Sequence, residues 1–143
     1  MESRVRAVSR KDPVCKLLMT APGVGPITAL SFKAAIDDPT RFKSSRLVGA
    51  HFGLTPRRFQ SGEMDNTGRI SRAGDRVVRA TLYIAANSLL IVSGRPSSLK
   101  TWGLKLIRTK GVRRARIAVA RKLAVILHRM WITNTPFQTE GVA

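Results

Sequence analysis

LLMTAPGVGPITALSFKAAI, residues 17–36, sets two apolar segments on either side of a Pro-Gly-Val-Gly-Pro turn. The first segment starts at Asp12-Pro13, where Asp can cap a helix and Pro is tolerated in the first turn, and runs through Leu17, Leu18 and Met19. The second begins near Pro26 and runs to about Ile36. Two apolar helices joined by Gly23 and Gly25 fit a helix-hairpin-helix. Glycine lets a backbone approach a phosphate closely, and the free N–H groups at the second helix start point at the anion. Gly23 and Gly25 are therefore candidate phosphate contacts, of a kind that follows the DNA backbone and not its sequence. An ordinary tight helix–helix turn would use the same glycines.

Upstream, residues 1–11 (MESRVRAVSRK) are basic and lack apolar periodicity, so a frayed tail is expected. Downstream, Asp37-Asp38-Pro39-Thr40 stops the second helix and leads into a third near Ser44–His51. From Phe52 to Ile70 the helical pattern fails: the stretch holds one Pro, three Gly and the turn pairs Ser61-Gly62 and Thr67-Gly68. Arg57–Gln60 and Gly68–Ile70 are read as the strands of a small hairpin. A basic helix then opens after Gly74-Asp75 and runs to about Val92, with Val78, Leu82, Ala85, Ala86 and Leu89 on one face. Gly94-Arg95-Pro96 breaks it, and Ser98 can cap a short helix through Leu104 and Ile107. Gly111 introduces the longest helix, Arg113 to about Ile132, striped by Val119, Ala120, Leu123, Ile126, Leu127, Met130 and Trp131. The expected fold is mainly α: a helix-hairpin-helix, a small irregular or β-hairpin segment, and a basic helical bundle. It forms one domain over 12–132, between a basic tail (1–11) and a loop tail (133–143).

Charge narrows the function. The 143 residues carry 26 Lys and Arg against 8 Asp and Glu, a net +18. From Arg76 to Thr139 thirteen Lys and Arg occur with no acid among them. An ordinary solvated helix pairs acids with bases at i, i+4; this surface lacks that compensation and calls for a polyanion. Nucleic acid fits best, because each neutralised phosphate releases a counterion. Arg113, Arg114, Arg121 and Lys122 on the last helix are the candidate contacts there, Arg114 and Arg121 sharing one face by their seven-residue spacing. A membrane partner is disfavoured: apolar stretches are broken within about ten positions, too short to span a bilayer, and the N-terminus lacks the apolar core of a signal peptide. A cytoplasmic, nucleoid-associated location follows. Cys15 is the single cysteine, which excludes an intrachain disulfide and fits a small core residue.

Residues 55–75, TPRRFQSGEMDNTGRISRAGD, bring Ser61 close in sequence to Arg57, Arg58, Arg69 and Arg72. A serine attacking a phosphodiester needs fixed cations to stabilise the charge that develops on the phosphoryl oxygens, and bidentate Arg serves this well. Taken alone, Ser-Gly is a turn. Other chemistries fare worse. His51 and His128 sit in apolar helices as core-edge residues, Asp37 and Asp38 bracket a turn, and no metal site or phosphate loop can be assembled.

Several separated motifs resemble one family. PGVGPITAL (22–30), DDPTRFKSSRLVGAHFGLTPRRFQSGE (37–63), TGRISRAGD (67–75), WGLKLIRTKG (102–111) and ARKLAVILHRMW (120–131) are similar, in this order, to the C-terminal domain of DEDD-type insertion-sequence transposases. These form the insertion-sequence one-ten family, relatives of the pilin-gene invertases. The resemblance covers roughly residues 12–132. It implies a serine nucleophile matching Ser61, recombination through a phosphoserine–DNA intermediate, a structured guide RNA as second partner, and assembly as a dimer or tetramer. It also implies an N-terminal RuvC-like domain with four acidic metal ligands, which this sequence does not match. No cofactor is expected in this chain, and Mg2+ is expected in that domain alone. The expectation is a transposase chain inactive without a DEDD domain, partnered either by further copies of itself or by a separate DEDD-domain chain. The alternative is a truncated, non-catalytic helix-hairpin-helix binder of DNA or RNA. A ribosome-associated basic protein fits the charge but not the QSG and GRIS segments.

Overall fold

Asp12 sets the first corner of the chain. The computed structural model describes residues 2–53 and 69–139, and the side chains of all of these but residues 2 and 69–75. Asp12 accepts hydrogen bonds from the Val14 and Cys15 amides at 2.8 and 3.2 Å, which caps α2 (Pro13–Leu18). Its other carboxylate oxygen pairs with Lys33 on α3 (Pro26–Ile36), so one side chain starts a helix and fastens it to the next. Both helices fall where the apolar segments place them.

The chain before Asp12 departs from expectation. Glu2–Lys11 is a helix, α1, packed on α2 and α3, and not a frayed tail. It lacks an apolar stripe because its inward face consists of half-buried Val5 and buried Ser9, one turn apart. The Ser9 hydroxyl donates back to the Val5 carbonyl at 2.7 Å, which satisfies it within the helix. A pattern search for large apolar residues passes over such a face.

After α3 a short 3-10 turn, Pro39–Arg41, is capped by Asp38, whose carboxylate accepts from the Thr40 amide and hydroxyl. α4 (Arg46–His51) follows. The expected strand Arg57–Gln60 lies outside the described residues. Its expected partner is corrected in part: Arg69 and Ile70 open α5 (Arg69–Asn87) and are helical. The expected helix start after Gly74-Asp75 is corrected too: the helix runs through Gly74. A helix interior tolerates glycine at a cost of about 1 kcal/mol relative to alanine.

α5 continues into a π turn, Ser88–Val92. All five of its expected inward residues, from Val78 to Leu89, are buried. α6 (Ser98–Lys110) is capped by Ser97, one residue earlier than expected, through a bond from the Lys100 amide. α7 (Val112–Thr133) is the centre of the molecule and packs against α2, α4, α5 and α6. Its expected stripe forms the core, with Val119, Ala120, Leu123, Leu127 and Met130 buried and Ile126 and Trp131 packed at its margin. α6 approaches closely at Gly103, where a Cβ would lie 2.4 Å from Leu90 and 2.9 Å from Val119. The last described residues form a loop, as expected, but one docked on the body: the Phe137 amide donates to the Thr20 hydroxyl and the Ser98 amide to the Thr139 carbonyl. Among the described residues every regular element is helical.

Candidate nucleic-acid interface

The Gly23–Gly25 turn divides the two glycines by role. Gly23 has φ +82°, a conformation that disfavours any side chain, and a Cβ there would meet the Ala85 carbonyl oxygen at 2.5 Å and the Leu89 amide at 3.0 Å. Its missing side chain lets the turn touch the backbone of α5, so the close approach serves the fold itself. Gly25 is different. It caps α3 with nothing within 4 Å of a Cβ position and leaves the first amides of α3 without a side-chain cap. Of the two, Gly25 is the one open to an outside anion.

The basic residues of α7 divide in the same way. Arg113 and Arg114 are exposed in its first turn. Arg121 and Lys122 are half-buried, the first packed by its stem and the second paired through its ammonium. The Arg121 stem lies where a Cβ at Gly49 would sit 3.0 Å from its Cγ, at the α4–α7 contact. The Lys122 ammonium stands 4.5 Å from the centre of the Trp102 ring, a cation–π contact. Arg69 and Arg72 belong to the opening of α5, while Ser61, Arg57 and Arg58 lie outside the described residues.

The structure adds cations that the sequence reading did not single out. Lys105, Arg108 and Lys110 on α6 are exposed, and α6 joins α7 through Gly111 alone, so they run up to the turn at which Arg113 and Arg114 begin. Gly111 has φ +91° and open space around it. Basic residues in the last turn of α6 favour that helix, since its C-terminus is the negative end of its dipole. Arg113 and Arg114 stand at the positive end of α7, where a cation is unfavourable and no acid is present in the first turn. This placement weakens the fold slightly and favours an anion. Among the described residues no acid occupies the first turn of any helix from α2 to α7.

A polar cluster lies away from this surface. His128 is buried on α7; its Nε2 lies 2.8 Å from the Pro39 carbonyl and its Nδ1 2.8 Å from the Ser45 hydroxyl. A carbonyl can only accept, so Nε2 carries a proton. Phe42 packs edge-on against both His128 and His51. These contacts fasten the 3-10 turn and the start of α4 to α7. The pairing of Ser45 with His128, 83 residues apart, has no local signal in the sequence.

Two of the acids, Asp12 and Asp38, are likewise committed to structure. The Lys33 hydrogen bond, helped by the Cys15 and Val14 amides, holds the Asp12 carboxyl below its ordinary value against the opposing effect of burial. Bonds from the Thr40 hydroxyl and amide lower that of Asp38. Burial pushes the Cys15 thiol up. Among the described residues no group of three His, Cys, Asp or Glu could hold a metal ion, and no helix is long and apolar enough to cross a membrane.

Comparison with known proteins gives the family. The chain is 34% identical over 146 residues to a putative transposase y4pF/y4sB of Sinorhizobium fredii, an alignment covering 100% of this chain and 38% of that protein. It is 35% identical over 127 residues to the transposase for insertion sequence element IS1111A of Coxiella burnetii, covering 88% of this chain and 35% of the relative. A transposase for insertion sequence element IS1328 of Yersinia enterocolitica is 32% identical over 128 residues, 87% of this chain and 36% of its own length. The chain thus spans a little over a third of the length of these relatives. The family model described as "Transposase IS116/IS110/IS902 family" matches residues 15–102. The chain belongs to the IS116/IS110/IS902 transposase family.

Proposed function

We propose that this chain is the DNA-handling part of an insertion-sequence transposase, supplying a phosphate-binding surface and a serine nucleophile at Ser61. The observation that carries the reading is the run of exposed cations at the α6–α7 junction, without acids among them, in a chain whose family match extends through residue 61. Gly25 at the start of α3, Arg113 and Arg114, and the arginines flanking Ser61 (Arg57, Arg58, Arg69, Arg72) contact phosphates. Gly23, Arg121 and Lys122 act by holding that surface in place.

In the proposed step Ser61 Oγ forms a bond to phosphorus, one phosphodiester P–O bond breaks, and the serine proton ends on the departing DNA hydroxyl. Attack by a hydroxyl from another DNA end reverses the exchange and rejoins the strands, so the bond energy is conserved in the phosphoserine link. Two of the acids described here are taken up by the fold, Asp12 by its cap and by Lys33, and Asp38 by Thr40, and with Asp37 they form no group of three ligands among the described residues. Metal ligation is assigned to the acidic domain that the resemblance implies. A structured guide RNA is a second polyanion the same surface would accept, and exchange between two duplexes calls for at least two copies.

Two measurements test the reading. Binding to a fluorescent duplex falls by orders of magnitude between about 50 and 200 mM salt if several phosphates are contacted; no binding at low salt contradicts it. With the acidic domain supplied, Ser61→Ala abolishes covalent capture of DNA on a denaturing gel and leaves binding intact. Capture that survives the substitution removes Ser61 from the mechanism and leaves a non-catalytic binder.

A further inference from the structure

At Gly53, the last described residue before the segment that carries Ser61, the chain leaves α4 beneath a side chain from another helix. The Arg79 guanidinium on α5 donates from Nη1 to the Phe52 carbonyl at 3.1 Å. That carbonyl follows the end of α4, among those a helix leaves without an internal partner. Gly53 then turns the chain with φ +70°, and a Cβ there would stand 2.8 Å from the same Nη1. Phe52 is held from its other side, its buried ring edge-on to Phe32 at 6.0 Å and to His51 at 5.0 Å. The guanidinium occupies the place of a missing side chain and grips a fixed point of the backbone. α4 packs on α7, while α5 packs on α3 and α7, so this bond ties the end of α4 to the flank of α5.

Arg79 also closes a series. Positions 69, 72, 76 and 79 of α5 are all arginine, and spacings of three, four and three put them on one side of the helix. The first two are the arginines assigned above to phosphate. Arg76 is exposed, whereas Arg79 is half-buried beside the buried Val78 and bonded to protein. Ser61 lies eight residues after Gly53 and eight before Arg69, so along the chain it is the point of its segment farthest from both ends. Where it stands relative to α5 follows from how those ends are held. One end is α5 itself, and the other is fastened to α5 by Arg79.

We propose that Arg79 is a positioning residue for Ser61: by joining the end of α4 to α5, it keeps the nucleophile in one frame with the phosphate-binding Arg69 and Arg72. This role rests on the reading of Ser61 as nucleophile. Here a cation serves geometry and not affinity, because its guanidinium already serves a carbonyl while exposed Arg76 on the same side is free to meet phosphate. Such a bond matters most at a reacting atom, where a misplacement of about 1 Å can cost on the order of 100-fold in rate. A cap that merely finished α4 would change stability and leave the rate of capture by the folded chain untouched.

Two readouts test this. With the acidic domain supplied, Arg79→Gln is expected to slow covalent capture of a saturating duplex by on the order of 100-fold, with the salt slope of binding unchanged. Arg79→Lys, which keeps the charge and a donor, recovers part of the rate. Gly53→Ala pushes the guanidinium off the carbonyl and slows capture in the same way, and adding it to Arg79→Gln slows capture no further. Circular dichroism and thermal melting establish that each variant is folded at the assay temperature. Capture by folded Arg79→Gln at the parental rate overturns the role, and a salt slope shallower by about 1 makes Arg79 a phosphate contact instead. The second readout needs no capture. In a Cys15→Ala background, nitroxide labels at Ser61→Cys and at exposed Thr109→Cys on α6 give a distance distribution by pulsed electron resonance. Arg79→Gln is expected to broaden or shift it, and an identical distribution overturns the role. If Ser61→Ala still captures DNA, the reading of the nucleophile falls, and the distance distribution alone decides whether Arg79 places residue 61.

Discussion

Gly23 and Gly25 stand two residues apart in a motif that invites a single explanation, yet their surroundings call for two. Gly23→Ala forces a Cβ against the α5 backbone at a positive φ, and is expected to cost on the order of 3 kcal/mol in denaturant unfolding. Gly25→Ala meets open space at an ordinary φ and is expected to cost less than about 1 kcal/mol. If Gly25 also approaches phosphate, its substitution lowers DNA affinity at nearly parental stability. Asp12 gives a second prediction at this scale. Its carboxyl is held low in the folded chain, so its stabilisation is full above the ordinary carboxylate value and is lost as pH falls through the depressed one. Asp12→Ala is expected to cost about 1–2 kcal/mol near neutral pH, and to flatten the acid limb of a stability–pH profile. An unchanged profile would mean that the cap and the Lys33 pair do not hold in solution.

Elements were legible in the sequence where their physics is local. The α2–α3 pair, the inward face of α5 and the stripe of α7 follow from capping residues and apolar spacing, and the structure places them as expected. α1 was missed because its packing face is Val5 and Ser9, too small and too polar to register as periodic. The start of α5 was set too late because Gly74-Asp75 mimics a helix beginning, while the packing of α5 on α3 and α7 outweighs the glycine. The His128 cluster joins three elements through contacts 83 and 89 residues apart, which no local pattern reveals. His128→Ala removes both bonds and a buried ring, so a loss of about 3 kcal/mol is expected, with α4 and the 3-10 turn the first to gain hydrogen exchange. Equal exchange in variant and parent would show that the cluster does not hold α4.

For the whole molecule, the same compositional excess serves different purposes in different places. Some cations are taken up inside the fold, as Lys33, Arg79 and Lys122 are, and Arg121 packs its aliphatic stem against α4. Others meet solvent at the α6–α7 junction, where two of them oppose the dipole of their own helix. Net charge alone could not make that division; burial and partners do. The exposed set is the one that the proposed function assigns to phosphate.

The most direct measurement is the salt dependence of duplex binding by the parent chain and by a variant with Arg108, Lys110, Arg113 and Arg114 all replaced by Gln. If these four contact phosphates, the slope of log affinity against log salt becomes shallower by roughly 3–4, with thermal stability nearly unchanged, because the favourable Arg108 and Lys110 at the end of α6 are lost together with the unfavourable Arg113 and Arg114 at the start of α7. A slope that matches the parent would place the DNA elsewhere and contradict the account.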